Sequence, residues 1–355
     1  TGPGLGVVGP STTYAVLEDF QTWTAHGHTT EEVFSPVQSN GTYLDALPLG
    51  QPVDLAQTVK QVTFHVVAQL LFGAEPEVLP MLLHQFEQIG LGLFSLVHLR
   101  IPGLPFYRAS RARKQLAKYI DGRISLYRSG QADSPTFLAQ LLSAEGEDGE
   151  RLGNETLVSE MLAFLFAGYD TTASMLTSVL LALSENPVVM MQLREELSSL
   201  DVEVVLRGQL PETPYLDAVL SETERLYPPL TSIPRKAARD CEFAGFQIPK
   251  GTPVGVSPIH THHMPSIWTR PNDFDPERFS PARAEHRRHA YAYLPFGGGA
   301  HLCIGQHFAD MEVKAVMHQL LRRFRLAVPE GYRMPYQLVP IAKPKDGLPM
   351  RLQAL

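Results

Sequence analysis

The stretch that decides the fold reads Phe296-Gly297-Gly298-Gly299-Ala300-His301-Leu302-Cys303-Ile304-Gly305. It delivers one cysteine to the start of a segment whose apolar residues, Val313, Val316, Met317, Leu320, Leu321 and Phe324, recur at helical spacing. A helix N-terminus offers unpaired N–H groups and the positive end of the dipole, and both stabilise a thiolate. Three successive glycines let backbone approach something flat and bulky without side-chain collision. A phosphate loop would need Lys and then Ser or Thr after the glycines, and neither is present. Zinc would need further cysteine or histidine ligands at finger-like spacing, also absent. A buried, inert cysteine is the plain alternative. A single thiolate on a metal held mainly by a macrocycle suits the pattern better.

Upstream lies the longest helical segment. Asn154 is placed to cap it, Glu155 suits the positive end of its dipole, and Asn186-Pro187 stops it. From Met161 to Ala167 it is apolar nearly all round, which predicts a helix through the core. Gly168, Asp170, Thr171 and Thr172 then occupy its middle, where glycine costs about 1 kcal/mol against alanine and a carboxylate costs more unless paired. A kink or a solvent-facing turn is the plain reading; an acid beside a hydroxyl in a dry interior is the chemical one. Between these regions, Glu222-Thr223-Glu224-Arg225 puts Glu222 and Arg225 on one helix face, normally a weak surface ion pair. The rigid segment Phe274-Asp275-Pro276-Glu277-Arg278-Phe279 presents another arginine.

The rest of the chain agrees with a mainly helical protein. Helices are predicted over Leu55 to Phe72 (closed by Gly73), Met81 to Phe94, Ala112 to Tyr127, Thr136 to Ala144 and Tyr215 to Leu226, with a bend over Leu104 to Tyr107 around Pro102 and Pro105. The 355 residues are 44% hydrophobic and 19% charged, which excludes a disordered or collagen-like chain. Thirty basic against thirty-seven acidic residues give a net charge of -7 and no global field for nucleic acid. Two cysteines, Cys241 and Cys303, exclude a disulfide scaffold and fit a reducing compartment. No continuous apolar run reaches the ~18 residues of a membrane span, and the opening Thr1-Gly2-Pro3-Gly4 is not a signal peptide. A cytoplasmic location is therefore expected.

Taken in order and spacing, the three motifs resemble the cytochrome P-450 superfamily of haem-thiolate monooxygenases, over roughly Leu44 to Leu355. The resemblance implies a mainly α fold with small β-sheets, a single domain over 1–355, and a haem b sandwiched between the long central helix and the cysteine-loop helix. Cys303 would be the proximal iron ligand, which favours O–O cleavage. Gly299 would permit the tight bend, Gly297 belongs to the same glycine run, Gly305 would allow close approach of helix to haem, and Phe296 would cover the sulfur. His301, where arginine is also common, and Arg235 match positions that pair with haem propionates. Glu222, Arg225 and Arg278 match a structural triad. Asp170 and Thr171 match an acid–alcohol pair that delivers two protons to dioxygen. Ala167 and Gly168 would leave room above the iron, with Gly168 loosening the helix locally for oxygen.

Further likeness, in Leu165 to Ser174, Thr213 to Leu230, Asp240 to Gly251 and Lys343-Pro344-Lys345-Asp346-Gly347-Leu348, is to the cyanobacterial and animal retinoic-acid hydroxylase branch. Gly92-Leu93-Phe94-Ser95-Leu96 falls where that branch lines its substrate, so a retinoid or carotenoid is the preferred substrate class. Fatty acids, steroids and other terpenoids are the alternatives, and beyond them stand a peroxide-driven enzyme and a haem sensor. With no flavin or nicotinamide fingerprint, electrons are expected from a separate ferredoxin or flavodoxin and its NAD(P)H reductase. The N-terminal part departs from the pattern: Thr1 to Trp23 resembles the entry and first helix, yet Glu31 to Asp45 already reads as a later region. The first strands, the next helices and a tryptophan/arginine pair have no counterpart, through either deletion or omission. His260, His262 and His263 are read as structural or solvated rather than metal ligands, and Cys241 as a spare surface thiol. Arg283, His286, Arg287 and Arg288 are either a docking patch for an acidic electron donor or a solvated loop.

Overall fold

The computed structural model describes residues 47–93, 95, 97–132, 136–145, 149–200 and 212–355, with Ala300 described by its backbone alone. The entry segment, the expected N-terminal departures up to Asp45, and Phe94 and Leu96 lie outside the described residues.

Strand β1 (Pro52–Asp54) runs directly into helix α1 (Leu55–Phe72). The Asp54 carboxylate accepts from the Gln57 N–H at 2.8 Å, which satisfies one of the free donors of the first turn. Gly73 ends α1 at φ 64°, a conformation open to glycine at little cost. Helices α2 (Leu79–Leu93) and α3 (Pro105–Arg128) follow. The bend expected through Tyr107 stops at Leu104, and α3 starts well before the expected Ala112. Pro105 explains the difference: as first residue of a helix its fixed φ is favourable and its missing N–H is not needed. Helices α2 and α3 touch at Gly92, where an added Cβ would lie 2.1 Å from the Cβ of Ala109. Helix α4 (Phe137–Ser143) is capped by the Thr136 hydroxyl.

Helix α5 (Asn154–Glu185) has 32 residues, followed by α6 (Pro187–Ser198) and α7 (Pro214–Leu226). One expectation for α5 is corrected: its cap is Gly153, and the Asn154 side chain is taken by Arg128 and Asp121. The helix runs continuously through Gly168, where an added Cβ would meet Val67 of α1 at 3.3 Å. Although no continuous run predicts it, α5 is long and apolar enough to cross a membrane, yet 67% of that window is buried in the core.

Four small antiparallel sheets complete the described fold. Strands β2 (Ile233–Lys236), β3 (Cys241–Phe243), β4 (Phe246–Ile248) and β5 (Pro253–Val256) pair as β2 with β5 and β3 with β4. After the short helix α8 (Pro258–Thr261) and the long α9 (Gln306–Arg323) come β6 (Phe324–Ala327), β7 (Tyr336–Gln337), β8 (Lys343–Pro344) and β9 (Pro349–Ala354). Strand β9 lies between β1 and β6, and β7 pairs with β8. The fold is mainly α with small sheets, as the sequence predicts. Helices α5 and α9 contribute to both apolar clusters: Met161 and Leu165 join Phe308 and Met311 in one, while Val179 and Leu183 join Val316 and Leu320 in the other. That shared packing fixes the cysteine loop, just before α9, relative to the middle of α5.

Candidate active site

The cysteine loop is a closed turn. Gly297 at φ 77° and Gly299 at φ 66° take left-handed conformations that a side chain would strain. The Cys303 N–H donates to the Phe296 carbonyl at 3.0 Å, so the residues between them bulge outward and return. Helix α9 starts at Gln306, and the Cys303 thiol stands exposed just before its first turn. Protein still walls the sulfur, and that desolvation raises the thiol pKa; the Gly305 backbone hydrogen bond opposes this and the Asp310 charge adds to it. Gly305 is not crowded within the chain, since an added Cβ would meet only the Cys303 sulfur, at 3.9 Å.

Strand β2 lies against the loop: Ile233 Cδ1 is 3.9 Å from where a Cβ on Gly297 would stand. Ile233 and Arg235 share one face of that strand. Arg235 is exposed and donates to the Pro234 carbonyl at 3.0 Å. His301 is exposed as well, and among the described residues no acid pairs with either side chain.

On α5, Ala167 is exposed half way along a largely buried helix. The Thr171 hydroxyl donates to the Ala167 carbonyl, which leaves its lone pairs free to accept. Asp170 is an ion-pair partner of Lys343, with 3.6 Å between Nζ and Oδ2. Two loops that sequence reasoning passed over close around this helix. The Ser174 hydroxyl donates to the Ala342 carbonyl, the Ala342 N–H to Pro229 and the Thr231 hydroxyl to Leu338. Leu230, Leu338 and Val339 are large apolar side chains left exposed there. Their signal in the sequence was only an apolar pair in a proline-rich tail. An open thiol on a glycine loop, an exposed alanine on a core helix, and an arginine and a histidine with no acid partner among the described residues fit a flat apolar macrocycle bearing carboxylates and a thiolate-ligated metal.

The Glu222–Arg225 pair is a buried clamp rather than a surface contact. Arg225 donates to Glu222 at 2.7 and 2.9 Å, and Arg278 reaches the same carboxylate at 3.2 Å. All three side chains are fully buried, and the arginines also hold the carbonyls of His262, Pro271, Arg270 and Asp273. Two more members join it: Glu285, which the sequence did not single out, and His262, which takes the structural role expected of it. Burial works against ionising Glu285, yet hydrogen bonds from Arg283 and Thr269 and the charges of Arg288 and Arg278 bring its pKa down to about 2. Arg283 and Arg288 also pair with Glu285. His262 accepts from the Leu294 N–H at 2.8 Å on Nε2 and so donates from Nδ1 to the Arg225 carbonyl at 3.1 Å. Burial lowers its pKa to about 4, keeping it neutral. The ring links the clamp to the approach of the cysteine loop. Among the described residues no group of histidines, cysteines and acids is arranged to hold a metal ion, and Cys241 lies exposed on β3.

Comparison with known proteins points the same way. The sequence model of the family described as cytochrome P-450 matches residues 44–348. The chain is 34% identical over 307 residues to the protein named cytochrome P-450 136 of Mycobacterium tuberculosis, covering 83% of this chain and 61% of that one. It therefore spans about three fifths of that relative's length. Cytochrome P-450 120 of Synechocystis is 33% identical over 298 residues, with 84% of this chain and 67% of the relative covered. The solved structure described as retinoic acid-bound cyanobacterial CYP120A1 superposes with a TM-score of 0.84 at 30% identity, over 97% of this chain and 78% of that one.

Proposed function

The chain belongs to the cytochrome P-450 family, and from that premise we propose that it is a haem-thiolate monooxygenase of the cytoplasm, with 1–355 forming one catalytic domain. The reaction takes a substrate C–H bond, dioxygen, two electrons and two protons to the alcohol and water. The family's cofactor is haem b. When bound, it supplies the iron that activates dioxygen, with thiolate ligation favouring O–O cleavage.

In this reading the Cys303 thiolate is the metal ligand, and Gly297, Gly299 and Gly305 give its loop the shape to approach a flat ring. Phe296 anchors the loop through its carbonyl. Arg235 and His301, neither paired with an acid among the described residues, bind the carboxylates of the cofactor. Ala167 leaves room on the opposite side. The Thr171 hydroxyl, anchored by donating to the Ala167 carbonyl, keeps its lone pairs free to accept, and the neighbouring Asp170 is the acid of the pair. Electrons come from a separate ferredoxin or flavodoxin with its reductase. What carries the proposal is the open Cys303 thiol combined with an acid–alcohol pair in mid-helix, because a peroxide-driven enzyme or a haem sensor needs no such pair. Replacing Cys303 by serine tests it: the thiolate-type absorption band of the reduced, carbon monoxide-treated protein is expected to vanish, and its survival would refute the assignment.

For substrate we propose an apolar isoprenoid of the retinoid or carotenoid class. The apolar walls at Leu230, Leu338 and Val339 support it, as does the likeness to a relative solved with retinoic acid bound. Titration with retinoids, carotenoids, fatty acids and steroids, followed by the low- to high-spin optical change, separates the classes. Silence toward every isoprenoid refutes the substrate class and leaves the reaction class standing.

A further inference from the structure

A cavity of about 530 Å³ opens between the start of α7 and the 3-10 turn Pro276–Phe279, and none of its residues belongs to the candidate active site. Small-molecule pockets span about 300–1,000 Å³, so the size is suitable. Its walls are mostly apolar: Pro214 and Ala218 come from α7, and Pro276, Phe279 and Pro281 from the turn and its exit. They are also rigid. Pro214 and Pro276 each stand in a first helical turn, where the fixed φ of proline suits the backbone. Phe279 is wedged among three rings: His286 stacked at 5.1 Å, Tyr293 edge-on at 5.1 Å and Trp268 tilted at 5.9 Å. The two walls are fastened to each other, because Glu222 of α7 accepts from Arg278 of the turn at 3.2 Å. Such a cavity is already shaped, so little ordering is needed for a ligand to enter.

The charged groups on these walls have one sign. Asp217 and Glu277 line the cavity together with Tyr215, Ser221 and Ser280, and among the described residues no lysine or arginine does. His286 lines it too, and burial followed by the Arg287 charge lowers its pKa, so the ring is neutral at pH 7. Lys314 of α9 pairs with Asp217 from outside the lining. Glu277 is exposed and has no ion-pair partner among the described residues. The negative field reaches the Tyr215 phenol, whose pKa is raised first by burial and then by the charges of Glu277, Asp275 and Glu196. Walls that are apolar and carry surplus negative charge reject carboxylates and phosphates and favour a cation with an apolar body. Aromatic rings at Tyr215 and Phe279 suit such a cation further. A bare metal ion suits it poorly, since no group of three metal-ligating side chains gathers among the described residues.

We propose that this cavity is a second ligand site, which takes a small organic cation with a compact apolar body, of the arylalkylammonium type. Glu277 supplies the charge that selects the cation, and Phe279 with the surrounding prolines encloses its body. The ligand is held rather than transformed, so no bond forms or breaks. The site stands apart from the haem-thiolate reading, because nothing in it involves Cys303, Asp170 or Thr171.

The test is equilibrium dialysis of the haem-loaded chain against benzyltrimethylammonium, whose quaternary nitrogen stays charged at every pH and cannot ligate iron. Saturable binding is expected. The uncharged analogue of similar size, N,N-dimethylbenzamide, and the anionic phenylacetate are each expected to bind at least about fivefold more weakly. Glu277→Gln keeps the shape of the wall and removes its charge, so it is expected to weaken the cation by at least about fivefold and to leave the amide unchanged. Ala218→Phe fills the cavity and is expected to abolish binding of the cation. Melting temperature and haem content of both variants stay those of the parent chain. Absence of saturable binding at millimolar probe overturns the site, and so does binding that survives Ala218→Phe, since the probe then lies elsewhere. Equal affinity for the amide, or indifference to Glu277→Gln, overturns the selection of a cation. Should Ala218→Phe fail to fold, Glu277→Gln and the two uncharged and anionic analogues still decide.

Discussion

In the proposed reaction Cys303 and Thr171 act from opposite surroundings. The thiol is exposed on a loop whose glycines remove side chains from its approach, whereas the hydroxyl is fixed by its own helix through the Ala167 carbonyl. Thr171→Ala is expected to retain haem while diverting reducing equivalents to peroxide; Thr171→Ser, which keeps the hydroxyl, is expected to remain coupled, as measured by peroxide released per NADPH consumed. Both residues stand out locally in the sequence, one by glycines and the other by polarity in an apolar run. The ion pair of Lys343 with Asp170 does not, since nothing along the chain relates the two. Nor could Glu222-Thr223-Glu224-Arg225 reveal which acid serves the arginines. Glu222 does, while Glu224 accepts from the Tyr293 hydroxyl instead.

Among the elements, α7 and the segment around Arg278 depend on one carboxylate. Glu222 satisfies two buried guanidinium groups and the Asp275 N–H, so removing it leaves two charges unpaired in a dry interior. Glu222→Ala is expected to destabilise the chain by about 3–5 kcal/mol, read from the urea midpoint. The cap of α1 is a smaller contributor: Asp54→Ala is expected to cost about 1 kcal/mol by the same measurement. Periodicity located most helices because their apolar faces are buried against neighbours. It misplaced the start of α3, where Pro105 reads as a breaker until its position at the first turn is known. The cap of α5 was misassigned for a similar reason, since two distant side chains compete for Asn154.

Over the whole molecule, buried acids set the response to pH. Burial raises the pKa of Glu224 from 4.5 to about 8, so the folded chain holds a proton there that the unfolded chain has released. Its contribution to stability is complete below pH 4.5 and lost as pH rises through about 8, with a slope of up to about 1.4 kcal/mol per pH unit. Asp310, raised by burial to about 6, acts in the same direction over a lower window. His262, lowered to about 4, acts oppositely: its contribution is present above 6.5 and lost as pH falls through 4. Glu224→Gln, which can still accept from Tyr293, is expected to flatten the decline of the urea midpoint between pH 5 and 8. The helices α2 and α3 bring out a mechanical consequence. At the root of the pair, Arg123 grips the Phe72 carbonyl at 2.9 Å; toward the tip, Gly92 interlocks with Ala109, and Leu91, Val97, Leu99 and Ile101 meet solvent. Clamped at one end and keyed together near the other, the two helices are expected to bend as a single beam, like a cantilever.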